Sequence, residues 1–150
     1  LAHDGVGFAK VTLHVGIGTF RPLRPEDLKR GLLHPEWYEI SESAVAAIAE
    51  TRARGGRVIA IGTTSARALE SATSDGRVPT AGASTTRLFI RPPYSFKAVD
   101  GLITNFHLPG SSLLMLVGSL IGRSRLMEAY SEAIRSGYRF YSYGDAMLLL

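Results

Sequence analysis

The sequence predicts an α/β fold, because apolar strand patterns alternate with helical patterns along the chain. Arg57–Ile61 is a nearly continuous apolar strand, which is typical of a sheet covered on both faces. A helical stripe and a two-glycine turn precede it, so this part of the chain has the order of an α–β unit. A second strand, Leu102–Phe106, ends in polar residues. We expect residues 1–150 to form a single α/β domain.

The elements before this unit follow from periodicity and capping. Lys10–Val15 alternates apolar and polar residues in period two, which predicts a strand. Residues 42–54 carry an apolar stripe at helical spacing. Ser41 or Ser43 can cap the start of this helix, and Gly55–Gly56 ends it.

Residues 34–39 place His34, Glu36 and Tyr38 at period two, so these side chains share one face if the segment is extended. The Glu36 carboxylate could then act as a base or bind a cation. The alternative is a salt-linked edge strand with Trp37 packed inward. The sequence leaves both interpretations open.

The segment after Arg57–Ile61 combines a turn with a helix. Gly62–Ser65 offers three hydroxyl groups and free backbone donors to a short helix, Ala66–Ala72, which indicates an anion or carboxylate site. Residues 73–86 are rich in small and polar residues and predict a loop. Leu88–Ile90 then reads as a short strand.

The last third of the chain is expected to hold two helices and a strand. The apolar run Leu113–Gly122 is about half of the ~20 residues that span a bilayer, so we predict a buried helix and no membrane segment. A further helix is expected at about Arg123–Ser136, followed by an aromatic strand over Tyr138–Asp145. The apolar terminus and the missing initiator methionine indicate a segment of a longer protein.

Composition restricts the chemistry. The chain has 45% hydrophobic residues and no cysteine, which favours a packed core and excludes disulfides, thiolate nucleophiles and cysteine-ligated zinc. The lack of cysteine is compatible with a cytoplasmic location. Seventeen Lys and Arg residues against thirteen Asp and Glu residues give a net charge of +4. This modest excess would help a protein that contacts phosphates.

Polar chemistry recurs at strand ends in three segments, Val11–Phe20, Val58–Ser65 and Leu102–Pro109, which suggests one shared site. Asn105 and His107 are two residues apart, so both project to the same side, where an amide and an imidazole can orient a substrate or transfer a proton. Taken singly, a strand histidine such as His14 is more often a structural residue.

Several familiar sites are absent from the sequence. Histidines 14, 34 and 107 come without a metal-binding spacing, so no metal is expected. Gly16–Ile17–Gly18 lacks the third glycine and the acidic residue of a dinucleotide site. No nucleophile elbow or phosphate-binding loop occurs either, which argues against ordinary hydrolases and kinases.

Five blocks resemble the bacterial S-adenosylmethionine:tRNA ribosyltransferase-isomerase family of queuosine biosynthesis. They are VTLHVGIGTFRP at 11–22, HPEWYE at 34–39, GTTSARALES at 62–71, FKAVDGLITNFHLPGSSLLMLV at 96–117 and YRFYSYGDAM at 138–147. The blocks follow the family order over nearly the whole chain. The resemblance implies a larger α/β domain, of which this chain is the C-terminal part, and a smaller inserted β-barrel domain that is not present in this chain.

The resemblance also implies a reaction. The ribosyl part of S-adenosylmethionine, the cosubstrate, would be transferred to 7-aminomethyl-7-deazaguanine at the wobble position of tRNA, giving epoxyqueuosine-tRNA, adenine and methionine. The aminomethyl nitrogen and a carbon beside the sulfonium must each lose a proton, so a general base is needed. The candidate bases are His14, Glu36, His107 and Asp145. His107 or Asn105 could assist the departure of adenine.

The remaining candidates are substrate-binding residues. The methionine carboxylate is expected at the helix start, and the candidate donors there are Thr63, Thr64, Ser65 and Arg67. Thr12 is a further substrate-binding candidate. The aromatic residues that could stack on adenine or on the modified base are Tyr94, Phe106 and Tyr143. Phosphate contacts are expected from Arg21, Arg24, Arg87 and Arg91.

We expect a cytoplasmic monomer that binds tRNA and no membrane. Two other interpretations stay open. The chain could be a tRNA-binding fragment without catalysis, or an α/β enzyme that modifies a nucleoside without RNA.

Overall fold

The computed structural model describes residues 2–16 and 22–150. A short 3-10 helix, Ala2–Asp4, precedes the main elements. In chain order these are β1 Val11–Leu13, α1 Pro25–Arg30, β2 Leu32–Ile40, α2 Glu42–Ala53, β3 Ile59–Ile61, α3 Thr63–Ser71, β4 Gly82–Leu88, β5 Gly101–Asn105, α4 Ser112–Ile121, α5 Arg123–Arg135 and β6 Ala146–Leu149. The prediction of a mixed α/β chain is confirmed.

The first sheet is antiparallel, with strand order β1-β2-β4. Residues 34–39 are extended within β2, and Glu36 and Tyr38 share its buried face, as the period-two spacing predicts. The same prediction is wrong for His34, which is exposed; the register of β2 against β4 shifts between Leu32 and Glu36. The alternative that packs Trp37 inward is wrong, since Trp37 lies on the opposite face and is 36% exposed. Successive side chains of a strand point to opposite faces, so Trp37 must lie on the outer face when Glu36 and Tyr38 are buried, although its ring is hydrophobic.

The second sheet has the order β3-β5-β6, with β3 and β5 parallel and β6 antiparallel to β5. Ala60, Leu102 and Leu149 are opposite one another in register and are buried on one face. The expectation that both faces are covered is wrong for the described residues, because Ile61 on the other face is 62% exposed. Leu148 on β6 is exposed as well.

The N-cap of helix α2 is Ser41, one of the two serines that the sequence offers as a cap. Ser41 caps α2 by accepting a hydrogen bond from the N–H of Ala44 at 3.2 Å, and Ser111 caps α4 in the same way. α5 also lies where it is predicted. α3 starts at Thr63, three residues earlier than expected, because Gly62 at φ +87° turns the chain directly into the helix.

Three segments differ from the sequence prediction. The predicted loop over residues 73–86 contains the start of β4, whose serine and threonine residues pair with β2. The strand predicted at Leu88–Ile90 is wrong, because β4 ends at Leu88. The strand predicted over Tyr138–Asp145 is also wrong: Tyr138 and Phe140 in this segment pack their rings on Phe106.

A buried carboxylate fixes the loop that leads into β5. Glu70 on α3 accepts hydrogen bonds from the Tyr94 hydroxyl at 2.9 Å and from the N–H groups of Lys97, Ala98 and Val99. Burial, and then the charge of Glu70, raise the pKa of Tyr94, so this hydroxyl stays a donor. Glu70 is therefore a structural residue.

No helix within the described ranges is long and apolar enough to cross a membrane.

We predict that Leu102→Ala destabilises the chain because Leu102 is fully buried at the centre of β5. The cavity should lower the free energy of unfolding by about 2–5 kcal/mol, measured by urea denaturation. Leu150→Ala is the matched control, since Leu150 is 60% exposed, and it should change this free energy by less than about 0.5 kcal/mol. Equal losses in both variants would contradict the assigned core.

Candidate functional site

The carboxyl ends of β3 and β5 meet at one edge of the second sheet, because the two strands are parallel. The Gly62 N–H donates to the Ile103 carbonyl at 2.8 Å, which holds the start of α3 against the end of β5. Open α/β sheets bind ligands outside the carboxyl ends of their strands. This edge is therefore the candidate site.

The first turn of α3 contributes Thr63, Thr64 and Ser65. Thr63 is buried, and Thr64 and Ser65 are half-buried. The backbone N–H groups of a first helical turn have no partner within the helix, and they carry the positive end of the helix dipole. The turn can accommodate a carboxylate or another anion.

Arg67 lies one turn further along α3, about 6 Å along the helix axis from Thr63. Its guanidinium forms a buried ion pair with Glu36 of β2, the two residues being 3% and 4% exposed. The other oxygen of Glu36 accepts from the Gly16 N–H at 2.9 Å. Within the described part of the chain, Nε and Nη2 of Arg67 have no hydrogen-bond partner.

Thr12 and His14 lie on the exposed face of the first sheet. Thr12 pairs with Glu39, and the His14 N–H donates to the Trp37 carbonyl at 2.8 Å. The His14 ring centroid is 4.6 Å from that of Trp37. Because Glu36 is on the buried face, the structure does not bring Thr12 and His14 together with the ion pair.

His107 is held on two sides just beyond β5. Its Nε2 is 2.8 Å from the Thr104 hydroxyl, and its backbone N–H donates to the Tyr130 hydroxyl at 2.7 Å. Burial lowers the pKa of His107 to about 4, so the imidazole is neutral near pH 7. A neutral imidazole with one nitrogen engaged can exchange a proton through the other.

Asn105 and Asp145 are adjacent to each other near this edge. Asn105 Nδ2 donates to the Asp145 carbonyl at 3.1 Å. The Asp145 carboxylate accepts from the Arg139 N–H at 2.6 Å and from Arg139 Nε at 3.0 Å. Hydrogen bonds from the Arg139 side chain, and then from its backbone, lower the pKa of Asp145. Asp145 is thus a fixed acceptor, and Tyr143 nearby is 69% exposed.

The covalent chain limits the distance between the Glu36–Arg67 ion pair and the segment that follows His107. Gly16 is bonded to Glu36, and Leu23 donates its N–H to the Gly110 carbonyl at 3.2 Å, three residues beyond His107. Seven residue steps separate Gly16 from Leu23, so their Cα atoms are at most roughly 25 Å apart. Residues 17–21, including the phosphate-contact candidate Arg21, lie outside the described residues.

Sequence reasoning missed Thr104 and Tyr130. Thr104 lies in β5, three residues before His107, and only the structure shows that its hydroxyl contacts the His107 ring. Tyr130 belongs to α5, 23 residues after His107, and no spacing rule connects the two. No group of histidine, aspartate and glutamate residues suited to a metal ion occurs among the described residues.

These features define an α/β chain with polar residues at the carboxyl edge of its parallel strands. Residues 1–149 match the model of a family described as queuosine biosynthesis protein. The chain belongs to that family.

Two relatives named S-adenosylmethionine:tRNA ribosyltransferase-isomerase are highly similar. That of Gloeobacter violaceus is 58% identical over 150 residues, which is 100% of this chain and 43% of the relative. That of Pelotomaculum thermopropionicum is 58% identical over 146 residues, or 97% of this chain and 43% of the relative. The chain therefore spans less than half the length of these curated relatives.

A solved structure has the same fold. The crystal structure of S-adenosylmethionine tRNA ribosyltransferase from Thermotoga maritima superimposes with a TM-score of 0.77 at 45% sequence identity. The match covers 99% of this chain and 47% of that protein.

We predict strong coupling between Glu36 and Arg67 in a double-mutant cycle. Arg67→Met leaves the Glu36 carboxylate buried without its cation and should lower the free energy of unfolding by about 3–5 kcal/mol. Adding Glu36→Gln should recover part of that loss, because the uncompensated charge is gone. Urea denaturation of the four variants measures the coupling, and additive losses would show that the pair does not interact.

We predict that His107 titrates far below an ordinary histidine, with a midpoint near pH 4 in an NMR titration of the folded chain. The folded state favours the neutral ring of His107, whereas in the unfolded chain the pKa of this histidine is ~6.5. The stability that the neutral ring contributes is therefore fully present above pH ~6.5 and is lost as the pH falls toward 4. In His107→Gln, the decrease in stability between pH 6.5 and 4 should be smaller. A midpoint near 6.5 would contradict the burial argument.

Proposed function

We propose that this chain is the C-terminal part of an enzyme that transfers and isomerises the ribosyl moiety of S-adenosylmethionine onto 7-aminomethyl-7-deazaguanine in tRNA. The products are epoxyqueuosine-tRNA, adenine and methionine. The observation that carries the proposal is the 58% identity, over the full length of the chain, to a relative with that enzyme name. The polar edge beside β3 and β5 provides suitable chemical groups.

The start of α3 binds the methionine carboxylate of the cosubstrate in this proposal. The N–H groups of its first turn favour an anion. The side chains of Thr63, Thr64 and Ser65 add hydroxyl donors. Arg67 lies one turn further along α3 and does not need to touch the ligand in this scheme. Its ion pair with Glu36 keeps it buried and fixed in place.

His107 is the preferred general base. Its place at the end of β5, with Nε2 2.8 Å from the Thr104 hydroxyl, carries this choice; burial keeps the ring neutral near pH 7 but also makes it a weaker base than an ordinary histidine. It would take a proton from the aminomethyl nitrogen or from the carbon beside the sulfonium. Glu36 and Asp145 are weaker candidates, since each is occupied by an arginine. His14 lies on the outer sheet face and would need a substrate that reaches that face.

Asn105 assists the reaction as an amide donor or acceptor beside His107. Its Nδ2 is engaged by the Asp145 carbonyl, which leaves Oδ1 to accept from the leaving adenine or from the modified base. Asp145 positions Asn105 and Arg139 in this scheme. Tyr143 and Thr12 provide further substrate contacts.

The net charge of +4 supports a polyanionic partner. Arg24, Arg87 and Arg91 are the described candidates for phosphate contacts. Arg87 and Arg91 also donate to the carbonyls of Leu33 and Leu28, so both have structural roles as well. We further propose that the parent is a cytoplasmic monomer that uses no metal, and that its smaller β-barrel domain lies outside this segment.

A second function, tRNA binding without turnover, is supported by one observation. The chain spans 43% of its relatives, so substrate contacts from the rest of the protein are missing. In that case the segment alone would bind tRNA in a salt-dependent way and form no product.

The proposal predicts that the full-length parent converts precursor-bearing tRNA to epoxyqueuosine-tRNA in the presence of S-adenosylmethionine, as detected by mass spectrometry. His107→Ala should lower kcat by about 10²–10⁴-fold, because a general base contributes that much. His3→Ala is the matched control and should retain activity, since His3 is exposed in the 3-10 helix at the start of the chain.

Three results would contradict this account. The absence of product from the unaltered parent would refute the enzymatic proposal. Equal product from the parent and His107→Ala would show that His107 is not the general base, and the role would then be assigned to His14, Glu36 or Asp145. Conversion of the free modified base, with unmodified tRNA failing to compete, would favour an enzyme that acts without RNA.

A further inference from the structure

Residues 138–145, here named the tyrosine loop, are joined to the end of β5 at two points. The Tyr141 N–H donates to the Phe106 carbonyl at 2.9 Å, one residue before His107. The Asp145 carbonyl accepts from Asn105. The loop therefore lies against the same strand end as the candidate base and amide.

The aromatic residues of the tyrosine loop divide into two groups. Tyr138 and Phe140 place their rings 5.7 and 5.3 Å from the ring of Phe106 and anchor the loop. Tyr141 and Tyr143 are 49% and 69% exposed. These two exposed rings lie two residues apart in the same loop, beside the end of β5, where they can contact a ligand.

The backbone of Tyr141 gives a second, independent indication. Its φ of +63° lies in the left-handed region, where a non-glycine residue is uncommon and a bulky one is strained. Glycine or asparagine would fit this position with less strain. Strained residues cluster at functional sites, so Tyr141 is a candidate functional residue.

We propose that Tyr141 and Tyr143 form a stacking platform for unpaired RNA bases that flank the modified nucleotide. Single-stranded RNA is bound by stacking its bases on exposed aromatic side chains. The loop carries Arg139 and Asp145, one positive and one negative charge, so its own net charge is zero. Its contribution is therefore stacking and not phosphate attraction. This inference rests on the proposed function, because it takes RNA as the substrate.

The test measures the Kd of the full-length parent for an anticodon stem-loop RNA that carries 7-aminomethyl-7-deazaguanine. Tyr141→Asn should raise the Kd by about fivefold or more, as expected for the loss of one base–aromatic stack. The slope of log Kd against log salt should stay the same, since no phosphate contact is lost. Tyr141→Phe, the matched control, keeps the ring and should keep the Kd.

A stability measurement separates binding from packing. Asparagine tolerates the left-handed conformation, so Tyr141→Asn should not lower the Tm of the parent. Tyr143→Leu keeps an apolar side chain without an aromatic face, and it should also raise the Kd. A lower Tm with an unchanged Kd would overturn the proposal, because the tyrosine would then be packed against another part of the parent.

Product formation distinguishes the two proposals. If the parent makes epoxyqueuosine and both tyrosine variants bind the RNA as tightly as the parent, the stacking platform is wrong and the proposed function stands. If the parent binds the RNA, loses affinity on Tyr141→Asn and makes no product, the platform stands and the proposed reaction is wrong.

Discussion

The buried ion pair between Glu36 and Arg67 is the constraint that links the first sheet to the helix that follows β3. Glu36 belongs to the first sheet, and Arg67 lies on α3, which follows directly from a strand of the second sheet. Neither charge can be removed alone without leaving the other in a low-dielectric environment. The pair therefore holds β2 at a fixed position beside the turn of α3 that faces the parallel strand ends.

Burial has a different consequence at the end of β5. His107 is half-buried, its ring contacts the Thr104 hydroxyl, and the loss of hydration lowers the pKa of the ring so that it is neutral near pH 7. The Arg67 guanidinium is buried as well, and it is paired with the Glu36 carboxylate. The same edge thus presents an uncharged imidazole and a helix start whose backbone N–H groups can bind an anion.

Local patterns predicted part of this arrangement. The period-two spacing of Glu36 and Tyr38 correctly predicted that the two share a face, and Ser41 marked the start of α2, because both depend on neighbouring residues only. The partner of Glu36 could not be found this way, since Arg67 is 31 residues away and meets it only through the packing of α3. The strand predicted over Tyr138–Asp145 is wrong for a similar reason. The rings of Tyr138 and Phe140 pack on Phe106, and the strand propensity of aromatic residues carries no information about that long-range contact.

The most direct test of the site is the structure of the full-length parent with S-adenosylhomocysteine, an analogue without the sulfonium charge. The account predicts that its carboxylate lies within hydrogen-bond distance of the N–H groups of Thr63–Ser65 and that its ribose lies beside His107. A ligand bound elsewhere, for example in the groove that Ser84, Thr86 and Lys97 line beside β4, would contradict the assignment of the site to the ends of β3 and β5.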